Sequence, residues 1–492
     1  MYRTVSQLDS VMGILAAFFP DLCSRVELPN RSIQGRPIYA LRMRAGGGGA
    51  RRGVLLVGGM HARELMNPDA IVELMLDLAL SYLNETGRSY GGASWSALDV
   101  KIMLETLDIW ILPCANPDGR EFVMQQVGGD RMWRQNRRDN PGTPCDGVDL
   151  NRNSDFVWGV TGPATSCNPC SSTRSYLGPT PFSEPESKNI EYLCDTHNIK
   201  VFADVHSFSE FVLYPWGHAP TQTTDSTKVF TGLATGTCAP LTPAGYKEYM
   251  TPRDFSRYRT VSQRVADRIR QVRGRNYVLK SVFEVYNGTT TGSCSDYVYS
   301  RHIANASRNK TYGFAFETGP NTGDNLLSFQ PTDPEPIKRD AKAGLLALIQ
   351  QSICAIDFIG TSLFGLSVQS IRTIRDRMLA NTEAGRGWID LFERVQFPLL
   401  GIVLSDRTLT KEAATLVRRV KTLATQHKKA IVSKEDVERG IAFLNELAKR
   451  TTDKKVKLDI STVSRFLKGS GGQDVEKVIA KLGKSKPAPN KK

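Results

Sequence analysis

The chain has 492 residues, of which 40% are hydrophobic and 23% are charged, proportions that are ordinary for a globular protein. This length exceeds that of most single domains and predicts two or three domains. The longest apolar stretch, at 344–366, is interrupted by Gln350, Gln351 and Asp357. The sequence therefore predicts no transmembrane helix.

The net charge of +14 is unevenly distributed along the chain. From Thr361 onwards there are 27 basic and 14 acidic residues, which leaves 37 basic and 36 acidic residues before it. Such asymmetry indicates two units, and we expect a larger domain over 1–358 and a basic, mainly helical region over 359–492. The basic region could attract an anionic partner, although nucleic acid is not expected and solvated charged helices are the simpler interpretation.

The first part of the chain alternates between helix-like and strand-like stretches. The apolar run at 11–19 is interpreted as the end of a first helix rather than a signal peptide, because Asp9 precedes it and no small-residue cleavage site follows. Helical apolar spacing returns at 65–83. Short apolar runs typical of buried strands lie at 53–58, 107–113, 200–204 and 312–316.

Buried strands separated by helices predict an α/β fold, with a mixed, largely parallel twisted sheet flanked by helices. Polar, glycine-rich stretches at 84–96, 128–147 and 287–295 are predicted loops of the kind that carries function on a rigid frame. Beyond Gly360 the pattern changes to charged or amphipathic helices. These helices are predicted at 410–425, 433–449 and 474–482, before a disordered Lys-rich tail at 484–492.

A candidate metal motif, His61-x-x-Glu64, follows the first predicted strand. A histidine and a carboxylate three residues apart, on a turn into a helix, can reach one metal ion, and catalytic zinc takes three protein ligands and an open position. Alone the motif is weak, because most chance pairs of this kind lie on a surface. His206 closes the strand-like run at 201–205, where open α/β sheets place their sites, and could be the third ligand.

Further motifs follow these residues in a definite order. They are Trp133-Arg134, Gly147-Val-Asp-Leu-Asn-Arg-Asn153, Tyr286 and Phe314-Ala-Phe-Glu-Thr-Gly319, with Arg31–Tyr39 and Asn116-Pro-Asp-Gly119 nearer the start. On this set of motifs the chain, from about residue 2 to about residue 359, resembles the zinc carboxypeptidases of the carboxypeptidase A/B type.

The resemblance implies a metallocarboxypeptidase that binds one zinc ion and removes the C-terminal residue of peptides or proteins with a free C-terminus. A zinc-activated water would attack, with Glu317 as general base and Arg134 polarising the scissile carbonyl. The implied zinc ligands are His61, Glu64 and His206, and Asp149 would orient the first ligand histidine. The implied substrate contacts are Arg63, Asn151, Arg152, Tyr286, Gly217 and Ser295.

The physical chemistry of these residue types agrees with the implied roles. A guanidinium matches a carboxylate in a bidentate fork, so Arg152 suits recognition of a free C-terminus. The structural alternatives are a surface ion pair for Arg152 and a buried ion pair for Glu317. In the family, a tyrosine closes over the bound residue, and Tyr286 matches it. Beyond that tyrosine comes an aspartate, and the residue just before this aspartate lies at the base of the pocket for the terminal side chain. Here it is Ser295, which like Gly217 is uncharged, so we expect a preference for neutral terminal residues over basic ones.

The chain has nine cysteines, of which Cys145, Cys167 and Cys170 are clustered. A disulfide is a better interpretation of this cluster than a zinc ribbon, because no fourth ligand is evident beside it. The resemblance implies a Cys145–Cys170 bridge, which would indicate an extracellular protein. The sequence shows no clear signal peptide, and a cytoplasmic location stays open.

Two other functions stay open at this point. A related zinc amidase or endopeptidase acting on modified or cell-wall peptides would share the metal site. Asn151-Arg152 argues against it, because these residues suit a free terminal carboxylate. An inactive zinc-binding scaffold would share the fold, although every expected polar residue is present.

Overall fold

The structure is a computed structural model that describes residues 2–46, 51–125, 129–232, 238–240 and 246–487. By their contacts the residues divide into two compact units. The first comprises Met1–Gly46, Arg52–Thr251 and Tyr258–Ser352, and the second comprises Gly47–Arg51, Pro252–Arg257 and Ile353–Lys492. The domain boundary expected after residue 358 stays a prediction.

In the described residues the strands are short and fall into one large sheet and three small pairs. They are β1 (Cys23–Glu27), β2 (Tyr39–Met43), β3 (Arg52–Gly58), β4 (Arg88–Tyr90), β5 (Ala93–Trp95), β6 (Leu107–Leu112), β7 (Val160–Thr161), β8 (Ile199–His206), β9 (Phe211–Tyr214), β10 (Ala239–Pro240), β11 (Val278–Ser281), β12 (Tyr312–Glu317), β13 (Ile431–Val432) and β14 (Gln473–Asp474).

The large sheet has eight strands in the order β1-β2-β6-β3-β8-β12-β9-β11. Its centre is parallel, through the pairs β6–β3, β3–β8 and β8–β12, and β11 is also parallel to β9. The pairs β1–β2, β2–β6 and β12–β9 are antiparallel. The mixed, largely parallel sheet predicted from the sequence is therefore confirmed.

The central strands form where the sequence has continuous apolar runs. Every residue of β6 is buried, and so is every residue of β3 after Arg52. A strand covered by helices on both faces needs apolar side chains on both, which explains why these runs do not alternate with polar residues.

Helices account for most of the remaining regular structure. From Val5 to Gln351 the α-helices are α1 (Val5–Phe18), α2 (Met66–Leu83), α3 (Ala97–Thr106), α4 (Pro117–Met124), α5 (Pro185–Thr196), α6 (Pro252–Arg273), α7 (Val282–Tyr286), α8 (Cys294–Ala304), α9 (Asn325–Phe329) and α10 (Glu335–Gln351). Beyond them lie α11 (Ala355–Asp357), α12 (Gln369–Ile374), α13 (Glu383–Leu404), α14 (Arg407–Thr425), α15 (Lys434–Arg450), α16 (Lys454–Lys468) and α17 (Val475–Lys484).

Side-chain caps fix where several of these helices begin. Thr4 and Gln7 form a capping box at the start of α1, and Ser96 and Asp99 form another at α3. In each box the two side chains satisfy backbone N–H groups that the first helical turn leaves unpaired. None of the described helices combines the length and hydropathy required to cross a bilayer.

The C-terminal region is mainly helical, as expected. The predicted helices at 410–425, 433–449 and 474–482 correspond to α14, α15 and α17. Residues 488–492 of the predicted disordered tail lie outside the described residues. One difference concerns the stretch at 84–96, where the structure has the hairpin β4–β5 instead of an irregular loop. Strands of three residues are too short to show an apolar alternation in the sequence.

Candidate functional site

The first two metal-ligand candidates lie just beyond the carboxyl end of β3. The chain turns at Gly59 with a φ of +63°, and a Cβ atom there would lie 2.9 Å from Cγ of Pro68. Glycine is therefore required for this turn. His61 and Glu64 follow, both buried, before α2 begins at Met66. The turn holds the two side chains at the edge of the sheet.

The third candidate metal ligand and the candidate general base lie at the ends of two neighbouring parallel strands. His206 is the last residue of β8, Glu317 is the last residue of β12, and the two are partners in the strand register. Because β3 pairs with β8 on its other side, three segments deliver polar side chains to one edge of the sheet. The carboxyl edge of parallel strands is where open α/β sheets place their sites.

His61, Glu64 and His206 together form a compact ligand cluster. Nδ1 of His61 lies 2.8 Å from Oε1 of Glu64, and Nδ1 of His206 lies 3.0 Å from Oε2 of Glu64. One ligand atom from each of the three residues lies within 4.8 Å of the others. Two imidazoles and one carboxylate, with a position left for water, form a ligand set of catalytic zinc. The residues present therefore fit one zinc ion.

The charges around this cluster favour a cation. Burial alone would raise the pKa of Glu64, but attraction to His61 and His206 outweighs it and lowers that pKa well below its usual range. Burial alone would lower the pKa of His206, but Asp204 and Glu64 raise it well above its usual range. The carboxylates thus stabilise positive charge at the position that a metal ion would occupy.

Asp149 lies behind the first ligand histidine and is fully buried. Its Oδ1 is 3.2 Å from Nε2 of His61, and its Oδ2 accepts a hydrogen bond of 2.9 Å from Nε of Arg134. Burial would raise the pKa of Asp149, but Arg134, Arg152 and His61 together lower it well below its usual range. The structure places this charged carboxylate where it can orient His61.

Two of the predicted arginines flank the ligand cluster. Nη1 of Arg134 lies 3.2 Å from Nδ1 of His61. Burial lowers the pKa of Arg63 to about 10, with the charge of Arg134 as the next cause. The Arg63 guanidinium lies 4.1 Å from the ring centroid of Phe329. These two guanidinium groups therefore lie beside the ligand cluster.

Asn151 and Arg152 form one short 3-10 turn, which Asp149 begins by accepting the backbone N–H of Asn151. Arg152 is buried, and its Nε donates to the carbonyl of Ala164 at 2.5 Å. The Arg152 guanidinium lies 5.5 Å from the ring centroid of Tyr286. The structure therefore brings the three residues expected at the substrate's terminus to one place.

The side-chain amide of Asn151 connects this turn to the metal ligands. Its Nδ2 lies 3.0 Å from Nε2 of His206, and its Oδ1 accepts the backbone N–H of Cys294 at 2.9 Å. The amide thus lies between the third ligand and the first turn of α8. Every residue predicted for metal or terminal-carboxylate binding is found in this part of the molecule.

Comparison with known proteins agrees with this arrangement. A family model described as zinc carboxypeptidase matches residues 8–344. The chain belongs to the zinc carboxypeptidase family. Zinc is the metal of this family, and the cluster of His61, Glu64 and His206 fits it.

Curated relatives of the family match in sequence. Carboxypeptidase A2 of Mus musculus is 32% identical over 317 residues, which cover 64% of this chain and 62% of that protein. Carboxypeptidase A1 of Homo sapiens is 34% identical over 218 residues, covering 44% of this chain and 47% of that protein. The chain thus spans about three fifths and about half of the length of these two relatives.

Solved carboxypeptidase-like structures share the fold. Thrombin activatable fibrinolysis inhibitor superimposes with a TM-score of 0.55 at 21% identity, covering 72% of this chain and 74% of that one. Carboxypeptidase A from Helicoverpa armigera superimposes with a TM-score of 0.51 at 24% identity, covering 71% of this chain and 74% of that one. At these identities the likeness establishes the architecture of the zinc carboxypeptidase fold.

The residues expected to line the side-chain pocket also lie near one another. Gly217 donates its backbone N–H to Oδ2 of Asp296 at 2.8 Å, and Ser295 precedes that aspartate in the first turn of α8. A Cβ atom at position 217 would lie 2.9 Å from the carbonyl oxygen of Thr290, so a larger residue would not fit without movement. Burial raises the pKa of Asp296 to about 7.

An apolar group borders this region. Leu213, Val282 and Ala315 pack together, and the half-buried Tyr286 packs against them. Tyr286 therefore contacts both an apolar surface and the guanidinium of Arg152. A tyrosine in this position can cover a bound side chain while its hydroxyl reaches a polar group.

The cysteines form two disulfides in the described residues. The expected Cys145–Cys170 bridge is confirmed. A second bridge, Cys167–Cys238, was not anticipated, because connectivity cannot be deduced from spacing alone.

Asp204 is a site neighbour that the motif analysis did not single out. It lies two residues before His206 on β8 and is fully buried. The period of two along a strand is the signal that could have found it, because residues i and i+2 share one face. An acid within a buried apolar strand is uncommon without a partner.

Proposed function

We propose that this chain is a zinc-dependent metallocarboxypeptidase that hydrolyses the C-terminal peptide bond of peptides or proteins. The observation that carries the proposal is the buried cluster of His61, Glu64 and His206 beside Arg152. A metal site alone would also suit an amidase or an endopeptidase. A buried guanidinium next to that site suits a substrate with a free terminal carboxylate.

Substrate binding would be centred on the 3-10 turn. Arg152 would pair with the terminal carboxylate, and the amide of Asn151 would donate to it. Tyr286, which already packs over the Arg152 guanidinium, would close over the bound residue. Arg63 would make a further contact with the substrate.

Zinc, when bound, would polarise the scissile carbonyl and activate a water molecule. Glu317 would accept the proton of the attacking water and deliver it to the nitrogen of the leaving amino acid as the C–N bond breaks. Burial raises the pKa of Glu317 to about 8, with opposing contributions from His206 and Glu64. A zinc ion beside it would add positive charge that favours the ionised carboxylate, which is the form that accepts a proton. Arg134 would stabilise the developing oxyanion.

The proposed preference is for neutral terminal residues. The absence of charge at Gly217 and Ser295 supports this preference, and so does the buried apolar side chain of Val282, which lies against position 217. A terminal Lys or Arg would need a buried anionic partner. Asp296 shares its carboxylate with the backbone of Gly217 and carries a raised pKa, so it is a weak anionic partner at neutral pH.

The two disulfides support an extracellular location, because such bridges persist in oxidising compartments. An anionic partner for the C-terminal region stays a prediction. Many charges of this region pair with each other, which favours solvated charged helices instead. These pairs include Arg394–Asp459, Arg419–Asp436, Arg439–Glu412 and Arg450–Asp406.

The proposal is tested with matched peptides that differ only at the terminus. The purified chain should cleave a peptide with a free carboxylate and spare the same peptide as its C-terminal amide. A chelator should abolish cleavage, and added zinc should restore it. Equal cleavage of the amidated peptide would contradict exopeptidase action, and full activity after metal removal would contradict the zinc mechanism.

A further inference from the structure

Asp204 and the third metal ligand share one face of β8. Successive side chains of a strand alternate between faces, so Asp204 and His206 point to the same side. Oδ2 of Asp204 lies 2.6 Å from Nε2 of His206, and both side chains are at most 3% exposed. The short distance shows that the two groups interact directly.

The imidazole of His206 has two nitrogens with different surroundings. Nδ1 faces Oε2 of Glu64 at 3.0 Å and is therefore on the metal side of the ring. A neutral histidine carries one N–H, so ligation through Nδ1 leaves the proton on Nε2. A buried N–H group of this kind needs an acceptor.

Two side chains lie next to that Nε2, and only one of them can accept. The neighbouring atom of Asn151 is its Nδ2, at 3.0 Å, which is a donor. The acceptor atom of Asn151 is already used by the backbone N–H of Cys294 at 2.9 Å, so turning the amide over would break that bond. Asp204 is the acceptor that remains.

The carboxylate of Asp204 has no competing role. Its contact with His206 is close but not aligned as a regular hydrogen bond, and no other described group bonds to either oxygen. Asp149, by contrast, divides its oxygens between His61, Arg134 and the backbone of Asn151. Asp204 is therefore available to His206 alone among the described residues.

We propose that Asp204 is a positioning residue, which accepts the Nε2–H of His206, fixes the tautomer that leaves Nδ1 for the metal, and frees the Asn151 amide for the substrate carboxylate. Each ligand histidine then has its own carboxylate, Asp149 for His61 and Asp204 for His206. Carboxylates in this arrangement fix the ring orientation and raise the basicity of the ligand. The inference rests on the proposed function.

The test measures the zinc affinity of the full chain by competition with a chromogenic chelator. This readout does not depend on peptide cleavage. We expect Asp204→Ala to weaken zinc binding by about 10- to 100-fold, the range seen when such partners are removed. Asp204→Asn keeps an acceptor oxygen without the charge, and its zinc affinity should fall by roughly tenfold or less. Asp108→Ala is the matched control, because Asp108 lies on β6 of the same sheet and pairs with Arg42. It should bind zinc like the unaltered chain.

A structural defect is distinguished from a positioning role by two further readouts. The d–d absorption spectrum of the cobalt-substituted chain should change in Asp204→Ala and not in Asp108→Ala. At saturating zinc, Asp204→Ala should raise KM for a peptide substrate by a larger factor than it lowers kcat. Without Asp204, the Nε2–H of His206 would compete for Oδ1 of Asn151, which would turn the amide over and take its N–H groups away from the substrate carboxylate. If Asp204→Ala does not fold, Asp204→Asn decides the question.

Zinc affinity within twofold of the unaltered chain in both variants would overturn the inference and leave the proposed function standing. The inference would also be wrong if the variants kept their zinc affinity and lost cleavage of Lys- or Arg-terminated peptides, because Asp204 would then belong to the side-chain pocket. An unaltered chain that fails to bind zinc would overturn both the inference and the proposed function.

Discussion

Arg134 and Asp149 form a buried ion pair, in which Nε of the arginine lies 2.9 Å from Oδ2 of the aspartate. The same carboxylate faces Nε2 of His61 at 3.2 Å. One aspartate therefore holds both a metal ligand and the cation expected to stabilise the oxyanion. Loss of its charge would affect metal binding and catalysis together.

We expect Asp149→Asn to weaken zinc binding by about 10- to 100-fold. It should also destabilise the fold by about 3 kcal/mol, because the charge of Arg134 would stay buried without its partner. Chelator competition and urea unfolding measure the two effects. Asp146→Asn is the control, since Asp146 is partly exposed and pairs with Arg137. Equal zinc affinity in both variants would show that Asp149 does not act on His61.

Glu317→Gln removes the proposed proton acceptor and keeps the size of the side chain. We expect kcat to fall by at least roughly 10²-fold, because general base catalysis contributes that much or more. Zinc content should stay at one ion per chain. Glu335→Gln changes an exposed glutamate and serves as the control. A variant of Glu317 with near-normal turnover would exclude the role of general base.

The specificity prediction is tested by kcat/KM for peptides ending in Phe, Leu, Lys and Glu. The unaltered chain should prefer Phe and Leu. Ser295→Asp should shift the preference towards Lys by about tenfold or more, because a buried cation needs an anionic partner. If the unaltered chain already cleaves the Lys peptide fastest, the pocket has an acid that we have not assigned to it.

The acid side of the stability profile is expected to depend on Glu186. This residue is buried, with Oε1 accepting the backbone N–H of Ile33 and Oε2 accepting Nδ2 of Asn136. Burial raises its pKa from 4.5 to about 7. Between these values the folded chain keeps a proton that the unfolded chain has lost, so stability decreases as pH rises.

Glu186→Gln should remove this contribution. Relative to the variant, the unaltered chain should lose up to about 1.4 kcal/mol of unfolding free energy per pH unit between about pH 4.5 and pH 7. Urea titrations of both proteins at several pH values measure the difference. Glu27→Gln, which alters a half-exposed glutamate, is the control and should follow the unaltered chain. A constant difference between the unaltered chain and Glu186→Gln at all pH values would contradict the prediction.

The central strands were predictable because their chemistry is local. The runs predicted at 53–58, 107–113 and 312–316 differ from β3, β6 and β12 by one residue at most at each end. Strands covered on both faces need continuous apolar sequence, and such runs stand out between polar turns. The ligand cluster was predictable for a related reason, since its residues lie just after β3 and at the end of β8.

The interactions that depend on distant parts of the chain were not predictable. Asp204 looks like an ordinary strand residue until β8 is folded and His206 lies beside it. The partner of Cys167 lies 71 residues away, and spacing alone does not select it. The hairpin β4–β5 depends on pairing between two strands that are individually too short to be recognised.

The Cys167–Cys238 bridge closes a covalent ring that contains the whole of β8, and with it His206. A protease that cut the backbone once within this ring would leave the two pieces of the chain joined through sulfur. His206 would then stay covalently linked, through the backbone or through the disulfide, to the segments on both sides of the ring. Such a nicked chain would run as one species on a gel until a reductant separated its fragments.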